Sequence, residues 1–347
     1  MKNRSSGAKK ILSILLILAT LLSFAACGDG KEKDSAKKNG YITDANDREI
    51  ELTDDPSSAT AASVYAVSTP FFVALKITDR VLAINVKKPF WKSADEGLGK
   101  AGTVGNGVVN LEKLAKYHPS ALVHRSNDPE TVRAVENIGI DVICITVENM
   151  DDVKATLRML GRYYGAEEAA ETAAEWIDKK YAYIDSIVEK IPEERRVTAL
   201  LMGGELGRVA GKDMLQSWMI EKAGGIPVVT EAKDHNWINI GVERIFEYDP
   251  QFLFCTSSTA REYTTEELLS DKAWSAMKAV TSGNIYVMPC KQDSWDMPGL
   301  SPVLGTMYML HCIYPEYFSE EDLFDQMDQY YRFMFGRIFT LEELGYQ

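Results

Sequence analysis

The chain has 347 residues, 46% hydrophobic and 26% charged, so it can bury packed cores and is not a disordered polypeptide. At about 150 residues per domain, this length suits two domains. The net charge of −13 excludes the broad basic surface on which nucleic-acid binding depends, so no nucleic-acid partner is expected.

The first predicted element is an export signal in residues 1–26. Two lysines precede an apolar run that ends in Ala25-Ala26-Cys27, which is the basic, apolar and small-residue order of a secretory signal. The run is shorter than the ~20 apolar residues that a membrane span needs. The segment holds four basic residues and no acidic one, so the remainder of the chain carries a net charge of −17.

Cys27 directly follows two alanines, as in a bacterial lipobox, although Phe24 stands where that pattern usually has Leu. Residues 28–40 are mostly small or charged and contain no apolar side chain except that of Ala36, as expected of a flexible tether. We therefore expect residues 27–60 to be a tether and N-terminal segment, anchored by lipid at Cys27 to the outer face of the bacterial cytoplasmic membrane. The alternative is an ordinary secreted protein that is cleaved nearby.

The remaining cysteines are four in number, which permits two disulfides in an exported chain. Cys144 and Cys255 lie inside apolar runs, where free thiols serve as small hydrophobic side chains. Buried free thiols are therefore the expectation.

Short β-rich runs then alternate with helical runs, which is typical of α/β architecture. The first set of candidate strands is Ser63–Val67, Val81–Val86, Ala121–His124 and Asp141–Thr146. The second set is Val197–Met202, Pro227–Thr230, Gln251–Thr256 and Asn284–Met288.

Between these two sets of strands the sequence predicts one long helix. Residues 166–191 contain neither Pro nor Gly, have apolar residues at helical spacing and are followed by Pro192. We therefore expect an N-terminal α/β lobe in residues 61–165, an inter-lobe helix in 166–191, and a C-terminal α/β lobe with a helical tail in 192–347.

An internal repeat relates the two lobes at a constant offset of 131 residues. Residues 110–119 (NLEKLAKYHP) align with residues 241–250 (GVERIFEYDP), so that Glu112 corresponds to Glu243. Each copy predicts a helix of about two turns, a proline stop and a buried strand. His118 precedes the proline in the first copy, where a cap or turn role is expected.

These features together resemble the substrate-binding lipoproteins of ABC importers, in the group that handles iron–siderophore complexes, haem and cobalamin. Beyond the signal with Cys27, the matching segments are residues 61–83, 104–123, 166–191, 239–254 and 273–305, with Tyr-Pro-Glu at 314–316. The resemblance covers nearly all of the mature chain. It implies two Rossmann-like α/β lobes with mostly parallel central sheets, joined by one long helix, that hold a ligand between them.

Ligands of open parallel sheets bind beyond the carboxyl ends of the strands, and pockets favour domain interfaces. The residues that follow the candidate strands are therefore the candidate ligand contacts. They are Phe90, Trp91 and Arg125 in the first lobe, and Glu205, Arg208, Trp237, Arg261, Asp293 and Trp295 in the second. Tyr65, within the first candidate strand, is a further candidate.

Each candidate has an alternative role. Trp91 lies in a polar loop with little core to fill, which favours ligand contact, as does the polar setting of Trp295. Asp293 can instead cap the helix that begins near Pro302. The arginines suit an anionic ligand, but surface or inter-lobe ion pairs are equally open to them. Tyr65 can face the cleft or the core.

Glu112 and Glu243 take the places at which the resemblance implies docking into basic pockets of an ABC permease dimer. The alternative is that each glutamate only complements the dipole of its helix, worth about 0.3–1 kcal/mol. Retention of both glutamates on diverged helices favours docking.

No catalytic, dinucleotide or phosphate-binding motif is present, so neither an enzyme nor a cofactor is expected. The four histidines are not spaced as a metal pair, which also disfavours zinc and manganese binders. A structural or adhesive surface lipoprotein would not need the paired glutamates. We expect a monomer whose cargo is a ferric siderophore, with a corrinoid, haem or an oxyanion such as molybdate as alternatives.

Overall fold

A computed structural model describes residues 40–85, 89–233, 235–258, 261–289 and 292–346. The predicted signal, the lipidation site Cys27, most of the tether and Cys290 lie outside these residues. Within them, no helix combines the length and the apolar character needed to cross a membrane.

The strands and helices alternate along the chain, as predicted. The strands are β1 Tyr41–Thr43, β2 Glu49–Glu51, β3 Ala61–Ala62, β4 Val81–Asn85, β5 Gly102–Gly105, β6 Ala121–Arg125, β7 Asp141–Ile145, β8 Thr198–Met202, β9 Arg208–Val209, β10 Ile226–Pro227, β11 Ile238–Asn239, β12 Phe252–Cys255 and β13 Ile285–Val287. The helices are α1 Thr69–Ala74, α2 Pro89–Ala94, α3 Glu96–Lys100, α4 Leu111–Tyr117, α5 Pro129–Glu136, α6 Met150–Tyr163, α7 Glu167–Val188, α8 Leu215–Lys222, α9 Gly241–Tyr248, α10 Thr265–Ser270, α11 Lys278–Thr281, α12 Pro302–Ile313, α13 Glu320–Phe335 and α14 Leu341–Leu344.

Two sheets organise the molecule. The first lobe has an all-parallel sheet in the order β5-β4-β3-β6-β7. The second lobe has a sheet in the order β11-β9-β8-β12-β13, in which β8, β12 and β13 are parallel, β10 also pairs in parallel with β8, and β9 and β11 pair antiparallel. The predicted fold class, two α/β lobes with mostly parallel sheets, is confirmed.

The strands at the centre of each sheet are buried. All four residues of β12 are buried, and so are the first four of β6. Such strands appear in the sequence as continuous apolar runs instead of an alternating pattern.

The predicted inter-lobe helix is confirmed as α7. Its 22 residues span about 33 Å at 1.5 Å per residue. The buried face carries the predicted residues Ile177, Tyr181 and Ile184, together with a run of small alanines towards the N-terminus of the helix.

The N-terminal hairpin β1–β2 is built into the first lobe. Asp44 accepts a hydrogen bond from the Cys144 backbone N–H at 2.9 Å, and Arg48 Nη2 donates to the Val142 carbonyl at 2.6 Å. The segment from Tyr41 to Glu51 is therefore part of the first lobe.

The 16-residue helix α13, near the end of the chain, packs against the first lobe. Lys76 Nζ donates to the Phe333 carbonyl at 3.1 Å, and Phe90 and Trp91 of α2 contact Phe335 at ring-centroid distances of 6.2 Å and 5.4 Å. The helical tail thus belongs in space to both lobes.

The cysteines within the described residues behave as predicted. Cys144, Cys255 and Cys312 are free thiols, and the first two are buried. Burial raises the pKa of both Cys144 and Cys255 to about 11, which leaves these thiols protonated and unreactive at neutral pH.

Candidate ligand site between the lobes

The strand orders indicate where a ligand would bind. In the first sheet the chain winds outward from β3 to β5 and then resumes on the other side of β3 with β6. In the second sheet the corresponding reversal lies between β8 and β12. Ligands of open α/β sheets bind in the crevice beyond the carboxyl ends of the strands at such a reversal. The loops after β3, β6, β8 and β12 therefore form the candidate site.

In the first lobe, the turn after β3 is fixed by buried hydroxyl groups. Ser63 Oγ donates to the Val123 carbonyl at 2.7 Å, and Ser68 Oγ donates to the Tyr65 carbonyl at 2.6 Å. These bonds position Tyr65, whose ring meets His124 edge-on at a centroid distance of 6.4 Å. Tyr65 is partly buried, and burial raises the pKa of its hydroxyl to about 12, so the hydroxyl remains a hydrogen-bond donor.

Asp128 organises the end of β6. It accepts hydrogen bonds from His124 Nε2 and Arg125 Nη2, both at 3.0 Å, and caps α5 through the Thr131 backbone N–H. Burial opposes ionisation of Asp128, but these hydrogen bonds outweigh it and hold the pKa of its carboxyl well below its usual range. Arg125 is thereby oriented while its side chain stays 47% exposed.

In the second lobe, a tight hairpin after β8 carries Glu205 and Arg208. Arg208 Nη1 donates to Glu205 Oε1 at 3.0 Å. Trp237, which precedes β11, lies over Gly203, where even a Cβ atom would come within 3.0 Å of the indole ring. A side chain at position 203 would therefore press against the indole ring, which would have to shift slightly.

Arg261 follows β12 and is held by backbone acceptors. Its Nη1 donates to the Thr256 carbonyl at 3.0 Å, and its Nε donates to the Tyr263 carbonyl at 2.9 Å. The side chain is partly buried, and these two backbone hydrogen bonds hold its charge near the end of β12.

Trp91 and Phe90 do not line the cleft. Trp91 is 1% exposed and Phe90 is 8% exposed, and both lie in the core against α13. The expectation that Trp91 has little core to fill is wrong, because the segment around it is helix α2 and α13 covers it. Sequence patterns around residue 91 could not reveal a partner 244 residues away.

Trp295 and Asp293 are also core residues. Trp295 is fully buried and its Nε1 donates to the Tyr331 hydroxyl at 3.2 Å, which in turn donates to Asp293 Oδ2 at 3.2 Å. The alternative role for Asp293 is wrong too, because the residue at the start of α12 is Ser301. These residues attach the loop after β13 to α13.

A cavity of about 340 Å³ lies between the lobes. The first lobe contributes Glu148 and Asn149, and the second contributes Lys212, Asp213 and Trp218 among others. Burial raises the pKa of Glu148; His235 opposes this effect, whereas the nearby Asp213 adds to it. Sequence reasoning missed Glu148, although it follows β7 closely enough for the strand-end rule to include it.

The described residues contain no group of three or more His, Cys, Asp or Glu side chains arranged to hold a metal ion. His124 fits a structural role, since its ring is buried and paired with Asp128. Burial lowers the pKa of His124, which keeps the imidazole neutral at pH 7.

The repeat helices α4 and α9 stand at the surface and carry the paired glutamates. The Glu112 side chain is 82% exposed and meets Lys116 Nζ at 3.2 Å, and Glu243 is exposed in the first turn of α9. Both carboxylates are therefore accessible to a partner.

Comparison with known proteins decides the family. The sequence pattern described as "Periplasmic binding protein" matches residues 61–291. The chain belongs to the periplasmic binding protein family. The molybdate-binding protein MolA of Haemophilus influenzae is 22% identical over 354 residues, which are 93% of this chain and 96% of MolA.

Solved structures of other periplasmic binding proteins share the fold. A periplasmic solute-binding protein from Veillonella parvula has a TM-score of 0.69 at 22% identity and covers 87% of this chain and 94% of its own. Helicobacter pylori CeuE with Ni(II) bound has a TM-score of 0.71 at 16% identity, with coverages of 88% and 98%. This periplasmic binding protein is therefore an extracytoplasmic solute-binding component of an ABC transporter.

Proposed function

We propose that this periplasmic binding protein captures a small oxyanion of the molybdate type between its lobes and delivers it to an ABC permease. One observation carries the choice of an anion. Arginines from both lobes, Arg125, Arg208 and Arg261, lie at the strand ends that flank the two reversals of strand order. Guanidinium groups bind oxyanions through paired, charge-assisted hydrogen bonds.

The acidic neighbours of these arginines suit such a site. Asp128 and Glu205 each bind one arginine of their own lobe, which holds the guanidinium in place before a ligand arrives. Exposed ion pairs of this kind contribute only about 0–1 kcal/mol, so an anion can compete for the arginine at small cost. The similarity to MolA supports the same class of cargo.

A ferric siderophore is the second candidate. Trp237 is partly buried beside Arg208 and offers one apolar surface, while the arginines suit anionic chelator oxygens. Of the three tryptophans expected to form apolar walls for a large chelate, haem or corrinoid, Trp91 and Trp295 lie in the core and Trp237 alone remains available.

A panel of melting measurements tests the cargo. Molybdate, sulfate, phosphate and a set of ferric siderophores are added separately, and a ligand at a hundredfold excess over its Kd should stabilise the fold by about 2.7 kcal/mol. Stabilisation by molybdate is expected. Stabilisation by ferric siderophores alone would replace the oxyanion with the second candidate.

Variants then locate the site. Arg125→Gln and Arg208→Gln should each weaken anion binding about tenfold or more, because each removes a charge-assisted hydrogen bond. Arg158→Gln is the matched control, since Arg158 forms a two-bond ion pair with Glu171 on α6 and α7, away from the strand ends. Equal losses in all three variants would argue against this site.

The lipid anchor is part of the proposal and rests on Cys27 after Ala25-Ala26. Growth with a labelled fatty acid should label the wild-type protein and not Cys27→Ser. Release of an unlabelled wild-type protein into the medium would favour ordinary secretion.

Permease docking through Glu112 and Glu243 completes the proposal. Their exposure on matching helices of the two lobes supports it. Glu112→Ala with Glu243→Ala should abolish uptake and leave ligand affinity unchanged. Loss of affinity instead would place these residues in the ligand site or the fold.

A further inference from the structure

Two exposed apolar side chains, one in each lobe, lie in turns next to the helices that carry the paired glutamates. Val108 is 77% exposed and Leu206 is 44% exposed. Each occupies a turn that packs against the start of a repeat helix, α4 for Val108 and α9 for Leu206.

The first turn is rigid. Gly105 and Val109 form an antiparallel bridge, and the Asn110 backbone N–H donates to the Val104 carbonyl at 2.8 Å. Gly105 has φ of 146°, and a Cβ atom there would lie 2.0 Å from the Val108 carbonyl oxygen. The turn therefore holds Val108 in a defined place just before Asn110, which caps α4.

The second turn is equally constrained. The Gly203 backbone N–H donates to the Arg208 carbonyl at 2.7 Å, and the Ile240 N–H donates to the Gly207 carbonyl at 2.9 Å. Gly207 has φ of 80° and lies so close to Gly241 that a Cβ atom would come within 2.9 Å of its Cα. Gly207 is thus held against the first residue of α9, and Leu206 precedes it in the same turn.

We propose that Val108 and Leu206 are paired apolar docking contacts for the permease, each entering an apolar pocket bordered by the basic side chain that receives Glu112 or Glu243. This inference rests on the proposed docking function. The permease is the expected partner because each lobe presents one acidic and one apolar side chain. This arrangement fits a partner with two similar subunits, each of which offers a basic side chain next to an apolar pocket.

The carboxylates and the apolar side chains are expected to affect different steps of permease binding. Carboxylates exposed to water speed encounter with a basic partner and lose effect as salt rises. Burial of a valine or leucine side chain is insensitive to screening and slows dissociation. Binding that persists at high salt is therefore assigned to Val108 and Leu206.

The test uses the mature lipoprotein and its permease–ATPase complex in lipid nanodiscs, with binding measured at low and high salt. Val108→Asn and Leu206→Asn should each weaken binding about tenfold, mainly through faster dissociation, at both salt concentrations. Leu269→Asn is the matched control, because Leu269 is 48% exposed on α10. Melting of every variant with and without molybdate reports on the fold and on the cleft.

The outcomes are distinct. If Glu112→Ala and Glu243→Ala weaken binding while Val108→Asn and Leu206→Asn do not, this inference fails and the docking proposal stands. If none of the four variants weakens binding, the docking proposal fails with it. If Val108→Asn or Leu206→Asn binds the permease normally but is no longer stabilised by molybdate, these residues are ligand contacts. If the wild-type protein is a dimer and either variant is a monomer, they are self-association contacts. Either result overturns the inference.

Discussion

His118 and Asp249, which lie 131 positions apart, adopt the same left-handed backbone conformation, with φ 46° and ψ 58° in the first and φ 43° and ψ 57° in the second. Each residue ends a repeat helix and precedes a proline and a buried strand. The two copies thus share a turn geometry although the residues differ. The left-handed conformation costs a non-glycine residue about 1 kcal/mol, so the turn is maintained against a local penalty.

Replacement of the first of these residues should stabilise the protein. His118→Gly removes the steric penalty, and the exposed His118 side chain has little packing to lose. We expect the free energy of unfolding to rise by about 0.5–1 kcal/mol, measured by urea denaturation.

Asp249→Gly is the comparison. It gains the same backbone freedom but loses hydrogen bonds from the Lys278 backbone N–H and Nζ, both at 2.8 Å. Its stability should therefore stay at or below that of wild type. A gain for Asp249→Gly that equals the gain for His118→Gly would mean that these bonds contribute nothing.

Close backbone contact at Gly207 should make this position intolerant of a side chain. Gly207→Ala combines a disfavoured φ of 80° with a clash against Gly241. Gly139→Ala is a matched control, because Gly139 has φ of 78° and nothing within 4 Å of an added Cβ atom. Both variants should lose stability, by about 1 kcal/mol for Gly139→Ala and by more for Gly207→Ala. Equal losses of stability in the two variants would show that the β8–β9 hairpin can move away from α9 at little cost.

Tryptophan fluorescence should report ligand binding through Trp237. We expect Trp237→Phe to remove most of the change in emission on adding ligand, because Trp237 adjoins the Arg208 strand pair. Trp91→Phe should keep that change and lower the stability by roughly 1–2 kcal/mol, because its side chain is buried against Phe335. A ligand response that depends on Trp91 would return that residue to the candidate site.

His124 should make stability fall in mild acid. Burial lowers the pKa of His124 below its unfolded value of about 6.5, so the unfolded chain takes up a proton before the folded one does. The stabilisation from this group is complete above that pH and is lost as the pH falls towards the folded pKa. In His124→Gln the free energy of unfolding should therefore decline less between pH 7 and pH 5 than in wild type.

The control for this pH series is His118→Asn, which removes an exposed histidine and keeps a residue that tolerates the left-handed conformation. Parallel pH profiles for wild type and His124→Gln would contradict the assignment of the effect to His124.

Local patterns in the sequence predicted most of the fold. The expected strands Val81–Val86 and Asp141–Thr146 correspond to Val81–Asn85 and Asp141–Ile145. The expected strand Ser63–Val67 is instead a two-residue strand at Ala61–Ala62, because the hydroxyl groups of Ser63 and Ser68 bind the backbone that would otherwise extend the ladder.

The candidate site was harder to predict because its composition depends on contacts between distant segments. The strand-end rule selected Arg125, which is the last residue of β6, and Arg208, which lies in β9 beside the end of β8. It could not show that α13 covers Trp91 and binds Trp295 through Tyr331, since no local pattern encodes which helix covers a given aromatic residue.

The position of α13 has a consequence for how the protein unfolds. Phe335, near the end of the chain, packs against Phe90 and Trp91 of the first lobe, so the core of the first lobe includes a residue from the C-terminal part of the chain. A fragment that ends with the first lobe would present this aromatic surface to water and aggregate. The two lobes should therefore melt together in one cooperative transition, and during synthesis the core of the first lobe is complete only after α13 has been made.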